Sequence, residues 1–316
     1  MRVAIVGGSG LLGRHIAAGL LKRGDDVTVL SRNPVDAQQR SRSATIRPWR
    51  PGDAESLAAE LTDCDAVVNL AGVAVGPRPW TAGRRRAILA SRISATRTIV
   101  EALARLDQTR RPNILVSVSG TDAYTGRDAV EATEETPSTD GFLARVCGAW
   151  EAEAARAKAI GVRVAILRIG FVLAPDAAAL ALYVAPFRVG LGGPVGDGRQ
   201  WISWIHIDDV VGLTGLALDD PHADGVINAV APTPAHQAEV ARAIGRALHR
   251  RSWLRIPAPL VRLVMREQAI LPLGSRRVRP QRALGLGYTF RWRELDAAVA
   301  DALRRGHANS DRSGAA

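Results

Sequence analysis

Residues 3–13 read VAIVGGSGLLG, and this stretch decides the fold of the chain. An apolar run typical of a short buried strand leads into a glycine-rich turn, and an amphipathic segment follows over residues 11–22. A strand, a glycine turn and a helix in this order give a G-x-x-G-x-x-G pattern a physical meaning, because the turn then faces the phosphates of a dinucleotide. A glycine turn without a ligand is the alternative, and the flanking strand and helix favour the dinucleotide site.

The three glycines of the pattern have different predicted roles. Gly7 lets the backbone turn sharply, Gly10 leaves room for a pyrophosphate, and Gly13 lets the helix pack closely on the strand. The phosphates would lie against the unpaired N–H groups and the positive dipole end of the helix, which begins with Leu11 and Leu12. These five residues are the first predicted cofactor-binding residues.

The bulk properties narrow the class of protein. A length of 316 residues suits one large α/β domain or a nucleotide-binding domain with a smaller appendage. The longest apolar runs are far shorter than a bilayer span and the first strand begins at Arg2, so we expect no transmembrane or targeting segment. Only Cys64 and Cys147 are present, without metal-ligand spacing, which indicates no metal site and a reducing, cytoplasmic location.

The formal net charge of +11 is almost entirely due to arginine, since lysine occurs only at Lys22 and Lys158. The arginine clusters at residues 84–86 and 276–277 lack the interleaved aromatic residues of a surface that stacks on bases. A solvated face is the favoured interpretation, and an anionic small molecule would also suit it. We therefore expect a small-molecule substrate as partner, no nucleic acid and no membrane.

The second predicted strand, at residues 27–30, ends in Ser31 and Arg32. In a dinucleotide fold this strand end meets the adenosine ribose, where a carboxylate binds the 2′-hydroxyl and an arginine accommodates a 2′-phosphate. No carboxylate is present here, and a planar guanidinium suits phosphate. NADP(H) is thus favoured over NAD(H), with Ser31 and Arg32 as contacts, and an ordinary surface arginine is the alternative.

Strand and helix patterns alternate along the next part of the chain. Strands are predicted at residues 66–70, 114–119 and 162–168, and helices at residues 54–61, 81–106 and 142–159. Residues 33–53 are a polar stretch punctuated by prolines. This alternation is typical of an α/β protein with a Rossmann-like, doubly wound parallel sheet.

The domain organisation follows from the same patterns. Residues 1–175 are predicted to form an NADP(H)-binding Rossmann domain, with a returning segment at about residues 205–232. Residues 176–304 would form a smaller, mainly helical substrate region, and residues 305–316 a disordered tail. A helix is predicted over residues 208–219, with Asp208 or Asp209 as its N-cap.

Several longer motifs accompany the glycine turn. They are NLAG at residues 69–72, SRI at 91–93, FLA at 142–144, WE at 150–151 and LGGPVGDGRQWISWIH at 191–206. With these motifs the chain resembles the short-chain dehydrogenase/reductase superfamily, in its extended NAD(P)-dependent epimerase/dehydratase branch. More narrowly, it resembles the atypical "epimerase family" proteins with a C-terminal domain of unknown function, over about residues 1–304. Arg266 stands where the resemblance implies glycine, and Arg276 where it implies glutamine.

The resemblance also shows what is missing. Superfamily members that use the usual mechanism carry a Tyr-x-x-x-Lys dyad on the helix after the serine-bearing strand. Aligned on Glu151, the tyrosine position falls on Leu143 and the lysine position on Cys147. None of the three tyrosines is followed by lysine four residues later, so the dyad is absent. Acid–base chemistry must come from other residues or not take place.

Three residues are candidates for catalysis, and each has a structural alternative. Ser119 matches the superfamily's substrate-polarising serine, or its hydroxyl caps a turn. Tyr124 supplies a phenolic acid if its loop folds inward, or it is a buried tyrosine. His206 titrates near neutrality and is a candidate proton carrier, or it makes a structural hydrogen bond beside the cap of the next helix.

The remaining site predictions concern the cofactor and the substrate. Small residues after the third buried strand would let the backbone lie against the cofactor, at Leu70, Ala71 and Gly72. Further cofactor contacts are predicted at Ser117, Arg168 and Cys147, the last with core filling as its alternative. Substrate contacts are predicted at Thr121, Arg199 and Trp201, the last with core packing as its alternative.

Two functions from different classes remain open. An NADPH-dependent oxidoreductase or epimerase acting on a small carbonyl or sugar-like substrate is favoured, because the cofactor half of the pattern is complete. An NADP(H)-binding sensor or scaffold protein without turnover is the alternative, because the dyad is missing. The superfamily resemblance implies a monomer or a homodimer that pairs through long helices such as residues 81–106.

Overall fold

The structure, a computed structural model, describes residues 1–40, 44–76 and 78–313, and the side chains of these except residues 40, 127–129 and 307–313. Its β-strands are β1 Arg2–Val6, β2 Asp26–Ser31, β3 Thr45–Pro48, β4 Ala66–Asn69, β5 Ile114–Gly120, β6 Arg127–Ala132, β7 Arg163–Ile169, β8 Phe171–Leu173, β9 Trp201–Ile202, β10 Trp204–His206, β11 Gly225–Ala229, β12 Ala235–His236 and β13 Arg276–Val278. Its α-helices are α1 Leu11–Arg23, α2 Pro34–Arg40, α3 Ala54–Leu61, α4 Ala82–Arg105, α5 Phe142–Ala155, α6 Ala178–Arg188, α7 Ile207–Asp219, α8 Gln237–Ala247, α9 Ala258–Met265, α10 Ile270–Leu273, α11 Gln281–Gly285 and α12 Leu295–Ser313.

Seven strands form one parallel sheet in the order β11-β7-β5-β4-β1-β2-β3. In register, Val3 of β1 lies beside Val27 of β2 on one side and beside Ala66 of β4 on the other. The chain therefore winds first to one side of β1 and then to the other. In open parallel sheets ligands bind at the carboxyl ends of the strands where this reversal occurs. The predicted α/β, doubly wound sheet is confirmed.

Both faces of the sheet are buried, which explains why its strands read as continuous apolar runs. Val3 and Ile5 belong to the core that includes residues of α1 and α7, whereas Ala4 and Val6 belong to the core that includes residues of α3 and α4. This alternation follows from the two-residue period of a strand. Helices therefore cover β1 on both faces of the sheet.

Residues 33–53, in sequence only a polar, proline-punctuated stretch, contain α2 and β3, two elements that the sequence patterns did not predict. β3 is an edge strand beside β2. Of its four residues Ile46 is half-buried and the other three are exposed. A short edge strand buries too few apolar side chains to give an alternating pattern. Residues 41–43, also within this polar stretch, lie outside the described residues.

The chain returns to the main sheet after α7, because β11 pairs in parallel with β7. Three small pairs lie outside this sheet: β10 with β8, β12 with β9, and β13 with β6. α8 packs against α6 and α12 in the C-terminal region. In the part of the chain that the structure describes, no helix has the length and apolar character needed to cross a membrane.

The N-cap of α7 is His206, and not Asp208 or Asp209 as predicted from the sequence. His206 Nδ1 accepts a hydrogen bond from the backbone N–H of Asp208 at 3.2 Å. The carboxylate of Asp209 is buried and accepts from the backbone N–H groups of Arg291 and Trp292 at 2.8 and 3.0 Å. It is thus committed to the loop that precedes α12.

The predicted disorder of residues 305–316 also needs correction. The backbone of α12 is helical through Ser313, and residues 314–316 lie outside the described residues. Arg305 ties the beginning of this tail to the rest of the fold, because its guanidinium contacts Asp208 at 2.9 Å and Asp301 at 2.7 Å. The sequence showed the polar character of the tail but not these tertiary partners.

Candidate functional site

The glycine turn between β1 and α1 has the geometry that a phosphate-binding turn requires. Gly7 adopts φ +81°, and a Cβ there would lie 2.9 Å from the backbone of Ala71. A Cβ on Gly13 would lie 2.4 Å from Gly8, so helix and turn are in close contact. A Cβ on Gly10 would meet only the Gly7 carbonyl oxygen, at 3.6 Å. Two glycines are therefore required by packing, and the third faces open space.

The N-terminus of α1 presents unpaired donors to this space. Gly10 is its N-cap in an extended conformation, without a side-chain cap and without an acidic residue in the first turn. The N–H groups of Leu11, Leu12 and Gly13 have no intrahelical partner, as in the first turn of any α-helix. Together with the helix dipole they form an anion-binding site. These residues fit the pyrophosphate of a dinucleotide.

At the end of β2 the side chain of Ser31 is buried and that of Arg32 is exposed. Ser31 is buried, with its Oγ 3.3 Å from Ser9 Oγ, and it accepts a hydrogen bond from the Asn33 N–H at 3.2 Å. Arg32 is exposed and forms no ion pair within the described residues. Residues 31–33 contain no carboxylate. Ser31 thus shapes the turn, and Arg32 is available to an external anion.

The loop after β4 is held against the glycine turn by a buried asparagine. Asn69 Nδ2 donates to Thr96 Oγ1 at 2.8 Å and to Ser117 Oγ at 3.2 Å. Its Oδ1 accepts from the N–H of Ala71 at 3.2 Å, and the Leu70 N–H donates to the Val6 carbonyl. Ser117 is fully enclosed, so it supports this loop from below and does not reach a ligand, contrary to its predicted contact.

Gly72 lies at the exposed end of the same loop, beside Arg92 of α4. A Cβ on Gly72 would approach the Arg92 guanidinium carbon to 3.2 Å. Arg92 donates to the carbonyl groups of Val73 and Ile88, both at 3.0 Å, and lies 4.9 Å from the Trp150 ring centroid. Burial lowers the pKa of this arginine. Arg92 fixes the loop that would border the cofactor.

Ser119, at the carboxyl end of β5, is part of a buried network that the sequence did not reveal. Its Oγ donates to Glu151 Oε1 of α5 at 2.6 Å. Arg168 of β7 donates to both carboxylate oxygens of Glu151, at 2.8 and 2.6 Å. The single hydroxyl proton of Ser119 therefore points to the carboxylate, and its lone pairs remain free to accept a hydrogen bond.

Tyr124 joins this network from the other side, and its predicted role as a phenolic acid needs correction. The side chain has no exposed surface. Its hydroxyl donates to Asn228 Oδ1 at 3.1 Å and accepts from Arg168 Nη1. Burial raises the pKa of the phenol, against the opposing effect of Arg168. The predicted alternative, a buried tyrosine, is the one observed.

Arg168 is likewise committed to the protein interior. All three of its nitrogens are bonded, two to Glu151 and one to Tyr124, and only 7% of the residue is exposed. Arg168 therefore holds Glu151 in position, and its guanidinium is not free to make the predicted contact with the cofactor. The sequence identified Glu151 only as part of the WE motif, and nothing near it in the sequence indicated its contacts with Ser119 and Arg168.

Cys147 and Thr121 lie near Ser119 but are enclosed. Cys147 Sγ is 3.5 Å from the Gly120 carbonyl oxygen, and burial raises the pKa of its thiol to about 11. Both side chains are buried, so neither presents a large surface to a ligand. The lysine position of the missing dyad is thus held by a small, neutral, buried side chain.

His206 needs the clearest correction among the predicted catalytic residues. It has no exposed surface, and its ring packs on Trp292 with centroids 4.6 Å apart. Burial lowers its pKa from 6.5 to about 4. Its Nε2 lies 3.3 Å from Asp301, and Arg305 already supplies positive charge to both nearby carboxylates. The predicted alternative, a structural hydrogen bond at the start of the next helix, is the one observed, and His206 is itself the cap of that helix.

Arg199 and Trp201 lie in the β9–β12 region. Arg199 is exposed, its N–H donates to Asp197 at 3.0 Å, and its carbonyl oxygen lies 2.6 Å from His236 Nδ1. Trp201 is half-buried, stacks on His236 at 3.8 Å and lies 4.9 Å from the Arg277 guanidinium. In the described residues neither side chain is hydrogen-bonded to the Ser119 network.

The parallel sheet, the glycine turn and the open N-terminus of α1 define a Rossmann-like protein of the nucleotide-binding class. Residues 3–230 match the family described as "NAD dependent epimerase/dehydratase family", and residues 256–302 match "Domain of unknown function (DUF1731)". The chain belongs to the NAD dependent epimerase/dehydratase family, with that domain at its C-terminal end. The predicted resemblance is confirmed in both parts.

Relatives with the same organisation support this assignment. Human "Epimerase family protein SDR39U1" is 37% identical over 303 residues, covering 95% of this chain and 98% of the relative. The crystal structure of human epimerase family protein SDR39U1 (isoform2) with NADPH has a TM-score of 0.86 at 35% identity, covering 96% and 99%. A nucleoside-diphosphate sugar epimerase from Corynebacterium glutamicum has a TM-score of 0.77 at 31% identity, covering 100% of this chain and 61% of that one.

Proposed function

We propose that this protein binds NADP(H) between the glycine turn and Arg32, and that it uses the cofactor to oxidise or reduce a small hydroxyl- or carbonyl-bearing substrate, including sugar-like ones. The observation that carries the cofactor assignment is the open space at Gly10 beneath the uncapped N-terminus of α1. The unpaired Arg32 beyond β2 favours a 2′-phosphate. The relative crystallised with NADPH supports the same choice.

Ser119 is the proposed contact for the reacting oxygen of the substrate. Because its proton points to Glu151, Ser119 Oγ presents lone pairs and suits a substrate hydroxyl better than a carbonyl oxygen. The nicotinamide, when bound, would exchange a hydride with the substrate carbon. The substrate proton would then move to Ser119 Oγ while the serine proton passes to Glu151, across their 2.6 Å hydrogen bond.

A second candidate function is cofactor binding without turnover, as a sensor or scaffold. It is favoured by the two buried residues at the dyad positions, Leu143 and Cys147. Burial raises the pKa of the Cys147 thiol to about 11, so this group does not exchange protons readily at neutral pH. On this function the Ser119–Glu151 pair only joins β5 to α5.

Binding of the cofactor is tested by calorimetric titration with NADPH and with NADH. NADPH is expected to bind more tightly, and Arg32→Ala to weaken NADPH by about ten- to a hundred-fold, because charge-assisted hydrogen bonds contribute about 1.5–3 kcal/mol. NADH affinity should change little. Arg105→Ala is a matched control, since Arg105 is also exposed and unpaired in the described residues. An equal loss of NADPH affinity in both variants would contradict the proposed contact between Arg32 and the 2′-phosphate.

Turnover is tested separately by deuterium transfer in both directions: from C4 of labelled NADPH to a panel of small carbonyl compounds, and to C4 of NADP+ from a panel of carbon-deuterated alcohols and nucleoside-diphosphate sugars. Transfer that falls by about a hundred-fold or more in Ser119→Ala, with NADPH affinity unchanged, supports the enzyme. Tight NADPH binding without transfer in either direction supports the sensor or scaffold. The two measurements distinguish a failed cofactor assignment from a failed reaction assignment.

A further inference from the structure

Residues 250–266 combine positive charge with exposed apolar side chains, and we call them the 250–266 surface. The segment reads RRSWLRIPAPLVRLVMR and contains no carboxylate. Its five arginines are exposed, and none forms an ion pair within the described residues: Arg250, Arg251, Arg255, Arg262 and Arg266. Elsewhere in the fold many arginines are paired with carboxylates, so the charge here is unusually concentrated and uncompensated.

Helix α9 supplies the apolar part of this surface. Of its eight residues only Val261 is buried. Leu260, Leu263 and Val264 face solvent, the last two with 76% and 73% of their surface exposed. The i, i+3, i+4 spacing places these three side chains on one side of the helix. An apolar helix face of this kind is costly in water unless something covers it.

The loop before α9 extends the apolar character. The N–H groups of Trp253 and Leu254 both donate to the Gly192 carbonyl, at 3.0 and 3.2 Å. This leaves 62% of Trp253 exposed, and its Nε1 donates to the carbonyl oxygen of Gly190 at 3.0 Å, between the exposed residues Val189 and Leu191. A large aromatic ring held at the surface by backbone contacts is typical of a polar–apolar interface.

Arg266 adds an independent observation. It ends α9 with φ +50° and ψ −126°, a conformation that favours glycine. Holding a non-glycine residue in this conformation strains the backbone. The side chain is exposed, and nothing within the described residues uses its charge. An arginine at this strained position is therefore placed for a partner outside the chain.

We propose that the 250–266 surface binds the surface of an anionic lipid bilayer. The apolar face of α9 and Trp253 would enter the acyl boundary, while the arginines contact lipid phosphates. A bilayer suits side chains that project from the surface, whereas a protein groove must be shaped to receive them. A second copy is disfavoured because five arginines would face five arginines. This binding is separate from the proposed cofactor chemistry.

A bilayer-surface site requires no transmembrane segment. The expectation that no membrane is a partner came from the absence of long apolar runs in the sequence. That criterion detects segments that span a bilayer, whereas a helix that lies on it needs only one apolar face with basic residues beside it. The eight residues of α9 meet this second requirement.

The proposal is tested by sedimentation of the full chain with vesicles of phosphatidylcholine, with and without phosphatidylglycerol. The protein should bind only the vesicles that contain phosphatidylglycerol. The double variant Leu263→Ser, Val264→Ser should lower this binding by about tenfold or more, because it removes two inserted apolar side chains. Arg262→Glu alone should also weaken it and provides a second variant. Thermal unfolding checks that each variant is folded.

Matched controls separate this surface from general attraction by a net charge of +11. Val130→Ser changes an apolar residue on β6 that is 65% exposed, and Arg105→Glu reverses an unpaired charge at the end of α4. Both should bind within about twofold of the native chain. Equal losses in controls and surface variants overturn the proposal. So does failure of the native chain to bind the anionic vesicles, which would point to an acidic protein as occupant.

Discussion

Two buried ionic networks in this protein contain acid–base residues, and they differ in what lies beside them. In the first, Ser119, Glu151 and Arg168 meet at the carboxyl end of the parallel sheet. In the second, His206 and Asp301 meet Arg305 between α7 and α12. The first retains slight exposure at Ser119, whereas His206 has none. Only the first adjoins the sheet edge that carries the glycine turn.

The comparison shows that a titratable residue is informative only together with its surroundings. His206 has the better intrinsic pKa for proton transfer, but burial lowers this pKa to about 4 and its ring caps a helix. Ser119 has no useful intrinsic pKa, but a carboxylate directs its proton. We interpret the first network as functional and the second as structural, and three predictions test this division.

The largest expected effect is from Arg168→Met in the first network. This change leaves the Glu151 carboxylate nearly enclosed without its ion-pair partner, since only 12% of that side chain is exposed. The free energy of unfolding should fall by about 3–5 kcal/mol, as for other broken buried pairs. Urea denaturation measures it, with Arg105→Met as the exposed control. Adding Glu151→Leu should recover part of the loss, and a fall below about 1 kcal/mol would contradict burial of the pair.

The second prediction concerns pH and isolates the structural network. The pKa of His206 is about 4 in the folded protein, and its ordinary value of 6.5 applies to the unfolded chain. Between about pH 4 and pH 6.5 the unfolded chain therefore binds more protons than the folded protein. The free energy of unfolding should therefore rise by about 3 kcal/mol as pH rises from about 4 to 6.5. His206→Asn should reduce this dependence while keeping a helix cap. His222→Asn, at an exposed histidine, should leave the pH dependence unchanged. If His222→Asn reduces the pH dependence and His206→Asn does not, His206 is not its source.

The smallest predicted effect is from Tyr124→Phe, which tests whether Tyr124 takes part in the chemistry of the first network or only supports its structure. It removes one hydrogen bond from Arg168 and one to Asn228, at a cost of about 1–2 kcal/mol. Thermal unfolding should show this loss, and NADPH titration should show no change. If deuterium transfer from NADPH falls by about a hundred-fold with little loss of stability, Tyr124 is a proton donor and our division is incomplete.

Much of the fold could be predicted from local patterns. Buried parallel strands and the helices that cover them have strong apolar periodicity, and β1, α1 and α4 lie close to their predicted bounds. The elements that were missed are short or polar, as in β3 at the sheet edge and α2 before it. Their stability comes from neighbours that are distant in sequence, such as β2 for β3.

The candidate site divides in the same way. Gly7, Gly10 and Gly13 could be assigned because each role depends on a turn formed by adjacent residues. Glu151 could not, because it meets Ser119 and Arg168 only when α5 packs on β5 and β7. The 250–266 surface was likewise invisible as a surface, since apolar residues in a helical pattern usually face a core.

The sequence alone determined the strand–glycine turn–helix unit, the doubly wound sheet, the absence of the Tyr-x-x-x-Lys dyad and the family resemblance. These features depend on spacing along the chain, which a sequence contains in full. The tertiary structure decided which polar residues are enclosed, placing Tyr124 and His206 in the interior and giving Ser119 its carboxylate partner. Burial and hydrogen-bond partners arise from contacts between residues far apart in sequence, and these contacts set the chemistry of each group.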